Sequence, residues 1–382
     1  MEHALELTET QQMIQETVRD FAEEVVKPKA RELDEKGEFS METFKKLAEL
    51  GLTGIPIPEE FGGAGADTLS YILAIEEISK VCGSTALGLA AHTSLGTMPI
   101  VLFGSEELKK KYVPSNAAGE TIGSYGLTEP GAGSDSGGTQ TSAVETEDGW
   151  KINGSKLYMT NASVANVMTI TAVTDPENEK HRRISAFVID PSWKGVTVAK
   201  KEDKLGVRGS DTCYVTFEDV SVPKSHLLGE RGHGWDYFME ILDAGRISIG
   251  AMALGLAQGA YQRAHQYSQE RKTFGKEIHR HQAVGFMLAD MKVEIEAARH
   301  MIYHAARLKD AGKTFKLEAS MGKLFASEMA MRVTRNAMQV LGGYGFMSEY
   351  EVDRFYRDAK LCEIGEGTSE IQRIVIGREI FK

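Results

Sequence analysis

Three stretches of the chain set reactive side chains beside residues that leave room for a ligand. In Glu363 to Arg373, EIGEGTSEIQR, Glu366 stands directly before Gly367 and Thr368. A carboxylate can act as a general base once burial against apolar surface raises its pKa toward neutrality. Thr368 or Ser369 can cap a following helix, whose first N–H groups can receive a phosphate or carbonyl oxygen. A glutamate before a helix cap also serves structure alone, so this segment by itself decides nothing. Gly126 to Gly138, GLTEPGAGSDSGG, reads as a strand running into Glu129-Pro130 and a loop of small residues. Such a loop can bring backbone N–H groups up to a flat or anionic ligand, or can simply turn. In Gln339 to Asp358, QVLGGYGFMSEYEVDRFYRD, Gly342, Gly343 and Gly345 interrupt a helical pattern. A helix C-cap accounts for one glycine, and three point to a backbone that a bulky ligand approaches closely.

Other spacings fail their chemistry. Gly312-Lys313-Thr314 would end a phosphate loop, but Arg307 stands where that loop needs its first glycine. Gly131-Ala132-Gly133 begins like a dinucleotide fingerprint, yet Ser136 takes the third glycine position and no βαβ unit follows. His300 and His304 lie one helical turn apart, but Met301 replaces the glutamate of a zinc-protease pattern and no third ligand is suggested, so no metal is expected. No G-x-S-x-G elbow supplies a nucleophilic serine.

The elements that must position the three stretches fall into three parts. Residues 1–118 read as helices: Thr8 with Gln11 has the capping-box pattern, and Ser40 can cap METFKKLAEL, which stops at Gly51. Residues 119–230 turn to short β-rich runs, TSAVET, WKINGSKLYMT, VMTITAVT, ISAFVID and CYVTFEDVSV, separated by Gly, Asp, Asn and Pro. Residues 231–382 return to the helical period, with Leu288, Met291, Ile295, Ala298 and Ile302 forming one apolar stripe for packing in a long-helix bundle. The stripe is core and carries no chemistry. The expected class is α+β.

At 382 residues the chain can bury a sizeable core, and 42% hydrophobic with 26% charged residues is the composition of a globular protein. A net charge of -11 argues against nucleic acid as a partner, which needs clustered cations. Cys82, Cys213 and Cys362 are odd in number and far apart, which suggests neither disulfides nor a thiolate metal site and fits a reducing compartment. The acidic, helical-period N-terminus lacks the pattern of an export signal, and the uncharged run Val81 to Ser105 is too polar and broken for membrane insertion. A cytoplasmic location is expected.

Taken together, the three stretches resemble the acyl-CoA dehydrogenase family, over nearly the whole chain. The resemblance implies an N-terminal helical domain, a middle β-barrel or sandwich domain and a C-terminal four-helix bundle. It further implies a homotetramer, a dimer of dimers, with one FAD per subunit and electrons passed to an electron-transferring flavoprotein. Residue by residue, Tyr125 to Ser134, including Leu127, Thr128 and Gly133, would line flavin and thioester, with Ser134 also near CoA. Tyr158 and Thr160 would lie against the isoalloxazine, Thr160 near N5; the family often has tryptophan at the position of Tyr158. Arg271, Thr273 and Phe274 of RKTFG, with Gln282 and Gln339 to Gly343, including Gly342, would complete the FAD site, partly for a neighbouring subunit. Thr368 and Glu370 would touch the cofactor, while Asp243, Arg246 and Gly367 would hold the acyl-CoA.

The resemblance also implies the reaction: Glu366 removes the α-proton as the β-carbon loses a hydride to flavin N5, giving a trans-2-enoyl-CoA. The Glu366 N–H and a ribityl hydroxyl would bind the thioester carbonyl and stabilise the developing enolate. Some members, isovaleryl-CoA dehydrogenases among them, place the base at the position matching Gly245, where glycine has no carboxylate. Leu89 to Gly104 resembles the pocket-floor helix of short-chain, butyryl-CoA-type members, with Thr97 and Met98 expected to limit depth. Gly365 stands where short- and medium-chain members commonly carry tyrosine, which leaves branched, cyclic or dicarboxylic acyl groups open. An acyl-CoA oxidase is generally much longer, and a non-catalytic CoA-binding scaffold would have no use for Glu366.

Overall fold

A computed structural model describes residues 6–382; residues 1–5, the start of the acidic N-terminal stretch, lie outside the described residues. Seven helices come first: α1 (Glu9–Phe21), α2 (Lys27–Lys36), α3 (Met41–Glu49), α4 (Thr68–Ser79), α5 (Gly83–Ala90), α6 (Met98–Phe103) and α7 (Glu106–Ala117). Both anticipated caps form. Thr8 Oγ1 accepts from the Gln11 N–H at 3.2 Å while Gln11 Oε1 accepts from the Thr8 N–H at 3.0 Å. Ser40 Oγ accepts from the Thr43 N–H at 3.1 Å, and Gly51 leaves the end of α3 at φ 71°, where a side chain would be strained.

α4 is buried on every face and forms the centre of the helical layer. Its Glu76 is satisfied by Gln258 at 2.6 Å and Tyr303 at 2.8 Å, which ties α4 to two bundle helices. The uncharged run becomes α5, a π-helical turn over Ala91–Thr97, and α6. Gly83–Phe103 is long and apolar enough to cross a membrane, but 78% of its most apolar window is buried inside the molecule, as in a core helix.

Eight strands follow, β1 (Gly123–Gly126), β2 (Ser142–Glu145), β3 (Gly149–Thr160), β4 (Val167–Val173), β5 (Ile184–Ile189), β6 (Val196–Val198), β7 (Thr212–Pro223) and β8 (Leu227–Leu228). They pair in the order β6-β7-β3-β2-β4-β5-β8, with β1 added in parallel to β4. Trp150 of β3 and Phe187 of β5 meet edge to face with ring centroids 5.4 Å apart. Three strand spacings would separate them by about 14 Å in a flat sheet, so the sheet curls over a shared core, as a barrel or sandwich requires. Ala143, Ile152, Met168, Ile170, Val215 and Phe217 fill that core.

The last part is α8 (Gly234–Glu270), a hairpin of β9 (Lys272–Thr273) and β10 (Lys276–Glu277), then α9 (Gln282–Asp310), α10 (Lys316–Leu341), α11 (Val352–Ile364) and α12 (Ser369–Glu379). Leu288, Met291, Ile295, Ala298 and Ile302 are all buried along α9, as the stripe requires. His300 and His304 are both exposed on the same helix.

Candidate active site

Glu366 lies in the short connection between α11 and α12. Thr368 caps α12, its Oγ1 accepting from the Ile371 N–H at 3.3 Å, and of the two candidate caps it is the one used. Glu366 takes φ 53° and Gly367 φ 94°, so the chain makes a left-handed bend at the carboxylate. That bend is costly for a residue with a side chain and is held from outside. Lys323 Nζ donates to the Gly367 carbonyl at 2.6 Å and Gln372 Nε2 donates to it at 2.9 Å.

The Glu366 side chain is half-buried, yet Oε2 is closed off from solvent and has no hydrogen-bond partner. Its backbone N–H is likewise without an acceptor among the described residues. Burial pushes the carboxyl up to about 7, against the pull of the Lys323 and Arg246 charges. The nearest wall is Gly245 of α8, where a Cβ would stand 2.0 Å from Oε2. Positions 245 and 366 therefore converge on one point in space, and only position 366 supplies an acid. Tyr71 and Tyr125 both feel the Glu366 charge. Tyr125 leans on α8, stacked on Phe238 with centroids 4.3 Å apart and its hydroxyl donating to the Phe238 carbonyl at 3.3 Å.

The strand ends beside this point are held by a buried pair that sequence reasoning did not single out. Lys156 Nζ meets Glu129 Oε1 at 2.7 Å, Thr171 Oγ1 at 3.0 Å and the Leu127 carbonyl at 3.3 Å. Glu129 also accepts from the N–H groups of Gln140 at 2.7 Å and Thr141 at 3.1 Å, so both charges are satisfied and the loop after β1 is fixed. Leu157 donates to the Thr128 carbonyl at 2.8 Å, and Ser124 Oγ donates to the Thr160 carbonyl at 2.7 Å, which sets Leu127, Thr128, Tyr158 and Thr160 side by side. Tyr158 is exposed at φ 54°, and Gly133 and Ser134 are exposed at the loop tip.

Arg271, Thr273, Phe274 and Gln282 lie around the β9–β10 hairpin. Phe274 stands at its tip at φ 50° and 97% exposed, and Gln282 is exposed at the start of α9. The Arg271 guanidinium lies over the Tyr344 ring at 5.7 Å, which joins the hairpin to the glycine segment. Of the three glycines there, Gly342 and Gly343 have open space where a Cβ would be, as an approach surface needs, beside the exposed Gln339. Gly345 is different. Its Cβ would fall 2.2 Å from the Met338 carbonyl, so packing within the chain explains it and no ligand is required. Asp243 pairs with Arg246, which also donates to Ser320 at 3.2 Å, while Lys316 reaches Asp243 at 3.5 Å. Glu370 is exposed in the first turn of α12. Thr97 is fully buried with its hydroxyl donating to the His92 carbonyl at 2.9 Å and accepting from Asn116 at 3.1 Å. Of the two residues expected to limit pocket depth, only Met98 keeps side-chain surface.

Lys323 and Lys156 are the residues of this region that sequence reading missed, and Glu129, expected within Tyr125 to Ser134 to line flavin and thioester, instead gives its carboxylate to Lys156. Lys323 alone left a trace, since it interrupts the small-residue row Ala319, Gly322 and Ala326 on a helix that must pack.

A helical layer, a curled sheet and a helical bundle meet at an unpaired, solvent-excluded carboxylate oxygen. Family profiles described as acyl-CoA dehydrogenase N-terminal, middle and C-terminal domains match residues 8–120, 124–220 and 232–381. YngJ of Bacillus subtilis, named as a probable acyl-CoA dehydrogenase, is 52% identical, covering 99% of both chains. A short-chain specific acyl-CoA dehydrogenase of Clostridium acetobutylicum is 49% identical, covering 98% of this chain and 99% of its own. The solved structure of butyryl-CoA dehydrogenase from Megasphaera elsdenii superposes with a TM-score of 0.97 at 42% identity, over 99% of this chain and 100% of that one. The chain belongs to the acyl-CoA dehydrogenase family, whose members depend on FAD. The residues present fit that cofactor: the half-buried Thr128 and Thr160 hydroxyls have no hydrogen-bond partner among the described residues and face no competing demand.

Proposed function

We propose that this chain dehydrogenates a short-chain acyl-CoA to the trans-2-enoyl-CoA, with Glu366 as the base. The observation that carries the reading is the pairing at one residue of a free N–H and a free, solvent-excluded carboxylate oxygen. The N–H can receive the thioester carbonyl and make the α-hydrogen more acidic, and Oε2 can then take it. A carboxyl near 7 is half ionised at neutral pH and still basic enough to accept the proton. Arg246, held in place by Asp243 and Ser320, adds positive charge that acts on the Glu366 carboxylate. FAD, when bound, supplies the hydride acceptor for the β-carbon; Leu127, Thr128, Gly133, Ser134, Tyr158 and Thr160 would hold it, with Thr368 and Glu370 at the α12 end. Arg271, Thr273, Phe274, Gln282, Gln339, Gly342 and Gly343 would serve the cofactor across a homotetramer. Asp243, Arg246, Ser134 and Gly367 would meet the CoA ester. The reduced enzyme would pass its electrons to an electron-transferring flavoprotein, in the cytoplasm.

Glu366→Gln is expected to bind FAD and butyryl-CoA but to bleach at least about a thousandfold more slowly in anaerobic stopped flow, because the interaction lost belongs to the transition state. Near-normal bleaching in that variant would sink the assignment. Turnover is expected to peak at four carbons, and best activity at eight or more would contradict the short-chain reading.

A second reading, a branched, cyclic or dicarboxylic acyl group, is favoured by Gly365. Its φ of -65° and ψ of 150° suit any residue, and an added Cβ would make only ordinary contacts with Leu361 from 3.4 Å outward. Nothing in the backbone requires glycine there, and the missing side chain is what would leave room for a broader acyl group. Relative turnover of butyryl-, isobutyryl- and glutaryl-CoA separates the two.

A further inference from the structure

Lys323 is a long cationic side chain with 0% exposure, and burial of an ammonium is costly unless something is gained. No carboxylate pairs with it at salt-bridge distance among the described residues, and its one hydrogen-bond acceptor is the Gly367 carbonyl at 2.6 Å. That carbonyl closes the left-handed bend that aims Glu366. The partners of Lys323 through space are Cys362, Glu366, Arg246 and Glu363.

We propose that Lys323 is a positioning residue for the reaction: its ammonium holds the Gly367 carbonyl, and so the bend at Glu366, while its charge offsets the cost of burying the Glu366 carboxylate. The proposal rests on the assignment of Glu366 as the base. Two functions are separable in one side chain, the hydrogen bond and the charge. The groups facing Glu366 are Arg246 from α8, Lys323 from α10, Cys362 from α11, Tyr71 from α4 and Tyr125 from β1. Burial pushes the Cys362 thiol up to about 12, raises both tyrosines and lowers the Lys323 ammonium to about 8, so near neutrality Arg246 and Lys323 are the charged groups besides Glu366 itself, and Lys323 gives up its charge above 8. Glu363, three residues earlier and inside α11, is engaged by Lys360 at 2.6 Å. Arg246 is already committed to Asp243. Lys323 is the cation with no carboxylate of its own, which leaves Glu366 as the charge it serves.

The test uses the holoenzyme and its Lys323→Gln and Lys323→Met variants, with Glu366→Gln alongside. Lys323→Gln keeps an N–H for the Gly367 carbonyl and removes the charge, whereas Lys323→Met removes both. The first readout is the pH titration of the carboxylic-acid infrared band that Glu366→Gln abolishes. The second is the pH profile of flavin reduction by butyryl-CoA, with FAD content and thermal midpoint as controls. The Glu366 midpoint is expected to rise by about one unit in both variants, which is a tenfold loss of ionised base on the acid side. Lys323→Gln should approach the parent rate at alkaline pH, and Lys323→Met should stay about tenfold slow at every pH because the bend is loosened as well. An unmoved midpoint and an unmoved rate profile in Lys323→Gln would overturn the proposal and leave the lysine a packing residue. Where Lys323→Met does not fold, Lys323→Gln carries both readouts. A parent enzyme that butyryl-CoA does not reduce, or a Glu366→Gln variant that it reduces normally, overturns the base assignment instead, and the infrared midpoint still reports on Lys323.

Discussion

Burial raises Glu366 to about 7 and lowers His92 to about 4, and the two act on stability in opposite directions. Glu366 holds its proton more tightly when folded, so its contribution is full below the ordinary carboxyl value of 4.5 and is lost as pH climbs through 7. His92 resists its proton when folded, so its contribution is full above 6.5 and is lost as pH falls toward 4. Each is worth at most about 3.5 kcal/mol at about 1.4 kcal/mol per unit, so over the shared window they oppose one another. Single substitutions should expose the hidden slopes in stepped-pH calorimetry. Glu366→Gln is expected to unfold at a higher temperature than the parent at pH 8 and to lose that advantage toward pH 4.5. His92→Gln, whose amide can keep both the Asn116 and Gly123 bonds, should gain on the parent as pH falls below 6.5. Parallel curves for all three proteins would show that neither group is shifted by the fold. The gain from Glu366→Gln is the stability that the chain forgoes to keep an ionisable carboxylate in a dry site.

The π-helical turn between α5 and α6 is the element that sets the base of the site against the sheet. Gly96 in that turn and Gly123 in β1 touch backbone to backbone: a Cβ at Gly96 would fall 2.4 Å from the Gly123 carbonyl carbon. His92 fastens the same junction, accepting from the Gly123 N–H at 3.1 Å and donating to the Asn116 carbonyl at 3.0 Å. Gly96→Ala must push β1 away and is expected to cost about 1–3 kcal/mol, with a lowered thermal midpoint and weaker FAD retention because Tyr125 and Thr128 move with β1. A variant as stable as the parent would mean that the turn yields freely. Sequence reading reached the local parts of such elements. Thr8, Ser40 and Thr368 act within three residues of their partners, and the α9 stripe is a period that needs no knowledge of what it packs on. It could not reach the π-turn, the parallel pairing of β1 with β4, or the bond from Lys156 to Glu129, because each depends on a neighbour brought near by the rest of the fold. Gly345 was misread for the same reason: its demand comes from the Met338 backbone, and a glycine in sequence does not say which neighbour crowds it.

Across the whole molecule, large apolar side chains left on the surface concentrate in the last third, among them Phe274, Phe286, Val293, Phe346, Ile374 and Phe381. Isolated exposed side chains are ordinary, and Phe274 at the hairpin tip is 97% exposed in the single chain. Light scattering is expected to give four 41.9 kDa chains, and Phe274→Asp is expected to lower both the assembly size and the bound FAD per chain. Full FAD occupancy in a monomer would contradict a cofactor site shared between subunits. The site itself is also distributed along the chain, and its order has a consequence for biosynthesis. Every strand of the sheet and the helices α8, α9 and α10 precede Glu366, and the Thr368 cap and Gln372 that hold its bend come later still. A ribosome therefore delivers the unpaired carboxylate after almost everything that surrounds it, and a chain released before Glu366 would carry the whole sheet and most of the bundle without that acid.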